Sequence, residues 1–568
     1  MLDILIKGAW VVDGTGSRAY RGAIGVKDGR IVLIRRGGVD EGEARRVIDA
    51  DGLVCSPGFI DLHSHSDYSI FIHNHAVSSL RAGVTTEAVG MCGYGVFPAR
   101  GQLADEAPKR MAGMSQVPVG ELGERDWETL DDWMQKLERR GIGINVAHFV
   151  GHGALRIAVM GQEGAGGEAT VPSPEQLQAM KDELRACMEQ GAFGLSSGLE
   201  YAPGRNATTG ELVELCRVVA LYGGAYVSHM RSEADLLISA TKEFISICRD
   251  AGIPGSISHH KAIGEENWGK VRATLALMEE ARSQGVDVIC DFYPWEYAAQ
   301  SNLGSFFYTD FEISPRDADS LRARLTNAGE WAALKSRLRE QEEKERRAAE
   351  GRARVLAEHG VKVSGPEDPL ASCYVVHSPS HPELVGANLR EACRVLGDPE
   401  DAWEGLRRLY LDDEGYCQVA GGRMWVEDIR ALVRHPLAAV STDGWTLARI
   451  PDLRRPGISP HPRNYGTYAR VLGEFVREER YVPLEEAVRK MTSLPAGLLG
   501  LRDRGLLAEG FWADLCLFDP ANIANTATHS GPCAYPVGIK YVLVNGVVAV
   551  DNGEEAGALA GQVLRHKG

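Results

Sequence analysis

The rhythm of the chain constrains its fold more than any other feature. Through the middle, short apolar runs alternate with longer amphipathic stretches. GINVAHF, GAFGLSSG, AYVSHM, GSISHHK, DVICDFYP and LAAVSTDG read as strands. Between them, SPEQLQAMKDELRACMEQG and WGKVRATLALMEEARSQG read as helices. Strand, helix, strand at this spacing implies a parallel sheet, because a helical crossover returns the chain to the same end. The number of repeats predicts an α/β fold, a closed (β/α)8 TIM-like barrel. In such a barrel the chemistry sits at the C-terminal ends of the strands.

The two ends of the chain read differently. DILIKGAWVVDG, AIGVKDGRIVLI and RVIDADGLVCSPG alternate apolar with polar and break at Gly or Asp-Gly. ADLCLFDP, KYVLVNGVVAVDNG and GQVLR repeat that pattern near the other end. Two β-rich ends complete a sheet only by meeting. Residues 1–57 and 503–568 are therefore expected to build one small β-sandwich domain, beside a barrel over 58–502. A length of 568 residues supports more than one unit. Residues 315–360 break the rhythm. They are charged and helical with few core-forming residues, so they predict an exposed, solvated insertion rather than a lid.

A formal net charge of −16 argues against nucleic acid or an anionic membrane as a partner, since phosphate binding needs a basic surface. Eleven cysteines without a CxxC pair argue against a disulfide framework and for a reducing cytoplasm. The start, MLDILIKGAWVVDGTG, lacks a basic region followed by an apolar run, and no apolar stretch approaches a membrane span. None of these features sets an oligomeric state.

Chemistry-bearing side chains collect at the strand ends. PGFIDLHSH ends an apolar strand in His63 and His65, which share a side and can hold one ion together. A lone HxH is a weak motif. GVTTEAVGMCG places Cys92 in a glycine-punctuated strand end, where a free cysteine is commonly just a small buried hydrophobe. YVSHM ends in His229, SISHHK in His259 and His260, and AVSTDG in Asp443. Any one of these fits a structural role. Together, at successive strand ends, they predict a metal site in a barrel mouth.

The motifs SPGFIDLHSHSD, GVTTEAVGMCGYG, VAHFVGHGALR, GLEYAPG, SHHKAIGEENWG, SPSHPELVG, STDGW, SPHPRNYGTYARVLGEFVREER and EEAVRKMTSLPAGLLGLRDRG span nearly the whole chain. With the tail ADLCLFDP and VNGVVAV, they resemble the amidohydrolase superfamily and, within it, the D-aminoacylase (N-acyl-D-amino-acid deacylase) group. The resemblance implies a tightly bound zinc on Cys92, His229 and His259. It also implies a second, weaker or vacant position at His63, His65 and Asp443. Many binuclear relatives bridge their metals with a carboxylated lysine on the fourth strand. No lysine occurs here between Lys181 and Lys242, and the resemblance gives the bridging role to Cys92. His260, the neighbour of His259, is expected to point away.

The implied reaction is hydrolysis of a small-molecule N-acyl amino acid without a covalent intermediate. Asp443 would take a proton from the attacking water and return it to the departing nitrogen. Lys261, Tyr293 and Tyr201 stand at family positions that bind the substrate carboxylate, and Arg463 is read as bracing a loop. The segment DFYPWEYAAQSNL is bulkier than the group's usual pattern, Glu200 adds an acid in GLEYAPG, and Met91 stands where Asn is more common. These departures leave N-acyl-L- and Nε-acyl-lysine substrates open. Rival readings are a cyclic-amide hydrolase of the hydantoinase or dihydroorotase kind, a nucleobase deaminase, and a silent metal-binding scaffold.

Overall fold

Parallel strands and helices alternate as the rhythm of the chain predicts. The computed structural model describes residues 1–37, 44–101, 103–104, 127–166, 171–307, 318–358, 368, 370–397, 401–447 and 460–567. In one run Val563–Leu564, Asn145–His148, Val84–Val89 and Phe59–Asp61 lie side by side. In the other the order is Val150–Gly151, Gly194–Gly198, Ala225–His229, Gly255–Ile257, Val288–Phe292 and Ala438–Val440. Every pairing in both runs is parallel. Only Phe149 separates Asn145–His148 from Val150–Gly151, so one segment serves both runs. At the far edges, Asp443 N donates to His63 O at 2.9 Å and His65 N donates to Gly444 O at 2.7 Å.

Both faces of these strands are buried, which is why they read as continuous apolar runs. Ile60, Leu62, Ala88, Ala147, Phe149, Ala225, Val227, Ile289 and Ala439 meet in one inner core. Their neighbours Val146, Leu195, Tyr226, Ile257, Val288 and Val440 face the helices and join the largest core. The helices include Leu130–Arg140, Pro174–Glu189, Thr209–Ala220, Leu237–Ala251 and Lys270–Ser283. Helix starts are written locally. Ser173 caps Pro174–Glu189 by accepting from Gln176 N, and the Gln176 side chain reaches back. Pro174, at the first turn, loses no hydrogen bond by lacking an N–H.

The chain ends do meet. Leu2–Val11, Tyr20–Lys27, Arg30–Arg36, Ala44–Asp49 and Val54–Pro57 share a nine-stranded sheet with Leu515–Phe518, Ile539–Val544, Val547–Asp551 and Glu554–Glu555. The junction is the antiparallel pair of Val54–Pro57 and Leu515–Phe518. Ile4, Ile24, Ile31, Leu515 and Leu543 fill a common core. Phe511 O accepts from Ile31 N at 2.9 Å, tying the sheet's far side back to the C-terminal segment. The expected sandwich is thus one continuous sheet folded over its own core. A single residue, Gly58, links it to Phe59–Asp61; a Cβ there would lie 2.3 Å from the Thr85 side chain.

The charged segment near 315–360 needs correction. It lies in a larger excursion between Val288–Phe292 and Ala438–Val440, built on an antiparallel sheet of Tyr297–Asn302, Gln418–Arg423 and Cys373–His377. Helices Ala318–Thr326 and Ala328–Glu358 pack Leu321, Leu325, Trp331, Leu334 and Leu338 against Leu389, Leu406 and Val419. The segment is helical, but it is not simply solvated. Its sparse leucines recur at helical spacing, so they fall on one stripe and build a separate core. Residues 315–317 and 359–360 lie outside the described residues. All eleven cysteines are free and buried. Among the described residues, no helix is long and apolar enough to cross a membrane.

Candidate metal centre

Strand ends deliver every expected donor. Phe59–Asp61 runs directly into His63 and His65, Val84–Val89 leads to Cys92, and Ala225–His229 ends on His229. Gly255–Ile257 leads to His259 and Ala438–Val440 to Asp443. Cys92 Sγ lies 3.2 Å from His63 Nε2 and 3.2 Å from His259 Nε2. His229 Nδ1 lies 3.0 Å from His259 Nε2. Asp443 Oδ1 lies 3.2 Å from His65 Nε2 and 3.4 Å from His63 Nε2. Donor atoms of His63, Cys92, His259 and Asp443 all fall within 4.8 Å of one another, and all four side chains are buried. His260 turns away as expected, its Nε2 meeting Thr274 Oγ1 at 2.7 Å.

Converging buried donors of this kind would repel or waste hydrogen bonds without a cation among them. A thiol, imidazoles and a carboxylate form a donor set that zinc accepts. Burial opposes ionisation of Cys92, but the imidazoles of His63 and His259 hold its thiol well below the usual range. Burial also opposes the Asp443 carboxylate, yet Arg463 and the histidines hold it well below the ordinary carboxyl range. Three of the donors bend the backbone into the left-handed region: Cys92 at φ 57°, His259 at 36° and Asp443 at 48°. For residues with a Cβ that costs about 1–2 kcal/mol each, and such strain gathers at functional sites.

The strand Gly194–Gly198 carries no lysine. Its Ser196 accepts from Gly93 N at 3.1 Å and donates to Gly90 O at 2.5 Å, bracing the Cys92 loop from both sides. A Cβ on Gly198 would stand 2.3 Å from Cys92 O, so only glycine lets the cysteine loop approach this strand. The Cys92 backbone therefore comes close to the strand that lacks the lysine.

Sequence reasoning missed the groups behind the donors. Asp291 Oδ1 lies 3.6 Å from His63 Nδ1 and accepts from His259 N at 2.8 Å and Ser441 Oγ at 2.6 Å. Glu233 Oε1 lies 2.9 Å from His259 Nδ1 and accepts from Lys261 Nζ at 2.6 Å. Glu200 Oε2 lies 2.8 Å from His229 Nε2. Asp291 is a charge inside the otherwise apolar DVICDF, which is a visible signal; Glu200 stands out as an added acid in GLEYAPG but not as a partner of His229, and Glu233 carries none.

Lys261, Tyr293 and Arg463 form one corner beside Asp443. Both cations approach the Tyr293 ring, with Lys261 Nζ 5.5 Å and Arg463 Cζ 4.8 Å from its centroid. Arg463 Nη1 donates to Asp443 Oδ2 at 2.7 Å and to Ala298 O at 2.8 Å, so it does more than brace a loop. Tyr201 stands over the Cys92 and His229 side of the site. Its hydroxyl donates to Cys92 O at 2.8 Å, and its ring packs on His229.

Comparison with known proteins agrees with this geometry. The Amidohydrolase family profile matches residues 46–230 and 419–550. An N-acyl-D-glutamate deacylase of Alcaligenes xylosoxydans xylosoxydans is 33% identical over 96% of this chain and 93% of its own. A D-aminoacylase from the same organism is 31% identical over 99% of this chain and 97% of its own. The crystal structure of N-acyl-D-glutamate deacylase from Bordetella bronchiseptica, complexed with zinc and a phosphonate inhibitor, superposes with a TM-score of 0.72 at 33% identity, covering 99% of each chain. A donor cluster at the strand ends built around a cysteine, and likeness along the full length of such relatives, lead to one assignment: the chain belongs to the amidohydrolase family and, within it, to the D-aminoacylase group.

Proposed function

We propose that this protein hydrolyses the amide bond of N-acyl-D-amino acids, releasing a carboxylate and a free amino acid. The observation that carries this reading is the buried meeting of Cys92, His63, His259 and Asp443 in a chain alike over its whole length to deacylases of such substrates. Zinc is assigned to Cys92, His229 and His259, with His63, His65 and Asp443 as a second, weaker position. A zinc ion held there supplies the Lewis acidity that polarises the amide carbonyl and acidifies water.

The protein groups supply the rest. Asp443 is kept ionised by Arg463, so it can take the proton of the attacking water and pass it to the leaving nitrogen. Arg463, Lys261 and Tyr293 form the site for the substrate carboxylate, where two cations and a phenol match an anion. Glu233 neutralises part of the Lys261 charge, as Asp443 does part of the Arg463 charge. Tyr201 stays with this group as a candidate ligand of the substrate carboxylate, and without substrate its hydroxyl donates to Cys92 O at 2.8 Å.

The architecture assigned to this site is the closed (β/α)8 barrel over residues 58–502, with 1–57 and 503–568 as the small β-domain. Supporting closure, inner residues of strands from both runs share one core, and backbone bonds join Asp443 to His63 and His65 to Gly444.

Amine release from paired N-acetyl-D- and N-acetyl-L-amino acids and Nε-acetyl-lysine, with protein of known zinc content, tests the proposal. Turnover confined to the D series is expected. Turnover of hydantoins alone, or of the L series alone, would overturn it.

A further inference from the structure

We infer that Glu200 is a positioning residue for the metal centre, acting through His229. The inference rests on the zinc assignment above. Each of His63, His229 and His259 turns one ring nitrogen toward the donor cluster and the other toward a carboxylate. For His63 and His259 those carboxylates, on Asp291 and Glu233, are buried. For His229 the carboxylate is Glu200, whose side chain is 39% exposed at the rim of the site.

The two nitrogens of His229 are thereby distinguished. An ionised carboxylate only accepts, so Glu200 Oε2, 2.8 Å from Nε2, requires the proton on Nε2. Nδ1 is left with its lone pair facing the cluster, 3.0 Å from His259 Nε2. A ligand histidine is oriented in this way by a group outside the coordination shell. His229 needs such an anchor because it ends its strand and is less buried than His63 or His259.

The loop that carries Glu200 is built to hold it there. Leu199 N donates to His229 O at 3.0 Å. The next residue, Tyr201, sets its ring edge-on to His229 at 4.9 Å and donates its hydroxyl to Cys92 O. Tyr94 stacks on the outer face of Tyr201 at 5.1 Å. One short segment thus touches two of the three tight-site donors: Glu200 sets the tautomer and ring plane of His229, and Tyr201 holds the backbone of Cys92.

The test is zinc affinity, measured by chelator competition on metal-free protein reconstituted with zinc. Glu200→Ala is expected to weaken zinc by about 10- to 100-fold, while the melting temperature of the metal-free protein stays unchanged. Glu200→Gln retains a carbonyl that accepts from Nε2 and should recover most of the loss. A cobalt-substituted Glu200→Ala protein should show a shifted visible ligand-field spectrum, which a solvated ion pair would not produce. Cys92→Ala is the control for the centre itself. If it abolishes zinc binding while Glu200→Ala stays within two-fold of the parent, the role of Glu200 is refuted and the centre stands. If neither variant changes zinc affinity, both are refuted.

Discussion

Asp443 carries the sharpest consequence of a single side chain. Its Oδ2 accepts from Arg463 and its Oδ1 faces His63 and His65, so the ionised carboxylate stands among the donors as a base. Asp443→Asn keeps the shape but cannot accept the proton. We expect kcat to fall by about 100- to 10,000-fold while bound zinc is retained, because Cys92, His229 and His259 are untouched. Metal analysis beside steady-state kinetics decides it: normal turnover with zinc in place would remove Asp443 from the chemistry. The same scale explains what the sequence showed. His63, His65, Cys92, His229, His259 and Asp443 were legible because each follows an apolar strand. The contacts of Glu233 and Glu200 were not, because a carboxylate in a loop looks the same whether it meets water or a ring nitrogen.

Among the elements, helix Val426–Arg434 ends in an unusual way. Lys490, from helix Leu484–Met491, is buried and donates to Leu432 O at 2.7 Å, Val433 O at 2.5 Å and His435 O at 2.8 Å. The Lys490 amine closes the last turn, where carbonyls run out of helical donors and the dipole is negative. Lys490→Met fills similar volume but removes the side-chain donor from all three carbonyls, although Leu432 O keeps His435 N and His435 O keeps Ala438 N. A loss of about 3 kcal/mol in chemical denaturation is expected, with zinc content unchanged. The helix and strand repeats were readable because strands buried on two faces and helices buried on one have distinct periods. The antiparallel sheet at Tyr297–Asn302, Cys373–His377 and Gln418–Arg423 was not, because its paired strands lie 41 and 116 positions apart in the chain, from 377 to 418 and from 302 to 418, and pair out of order.

For the whole molecule, the C-terminal segment is the decisive strap. Val563–Leu564 pairs in parallel with Val146 and Ala147, and Gly561 N donates to Ile142 O at 2.8 Å. Further along, His566 N donates to Gly191 O at 2.9 Å and Arg565 Nη1 reaches Asp131 Oδ1 at 2.7 Å. Deleting residues 560–568 removes all of these contacts from the end of the strands opposite the candidate metal centre. A fall in stability on the order of 3 kcal/mol is expected, with KM for the acyl amino acid unchanged. Unfolding curves and kinetics on the truncated chain check both parts; a changed KM with unaltered stability would contradict this placement.

What the sequence determined by itself was periodicity: which segments are strands, which are helices, and which polar side chains stand at strand ends. Those properties depend on residues a few places apart. Only the tertiary structure decided which carboxylate meets which imidazole, that Arg463 holds Asp443, that Tyr201 serves Cys92, and that the charged helices own a core. Each of those depends on distances between residues far apart in the chain, set by how the layers pack rather than by any local pattern.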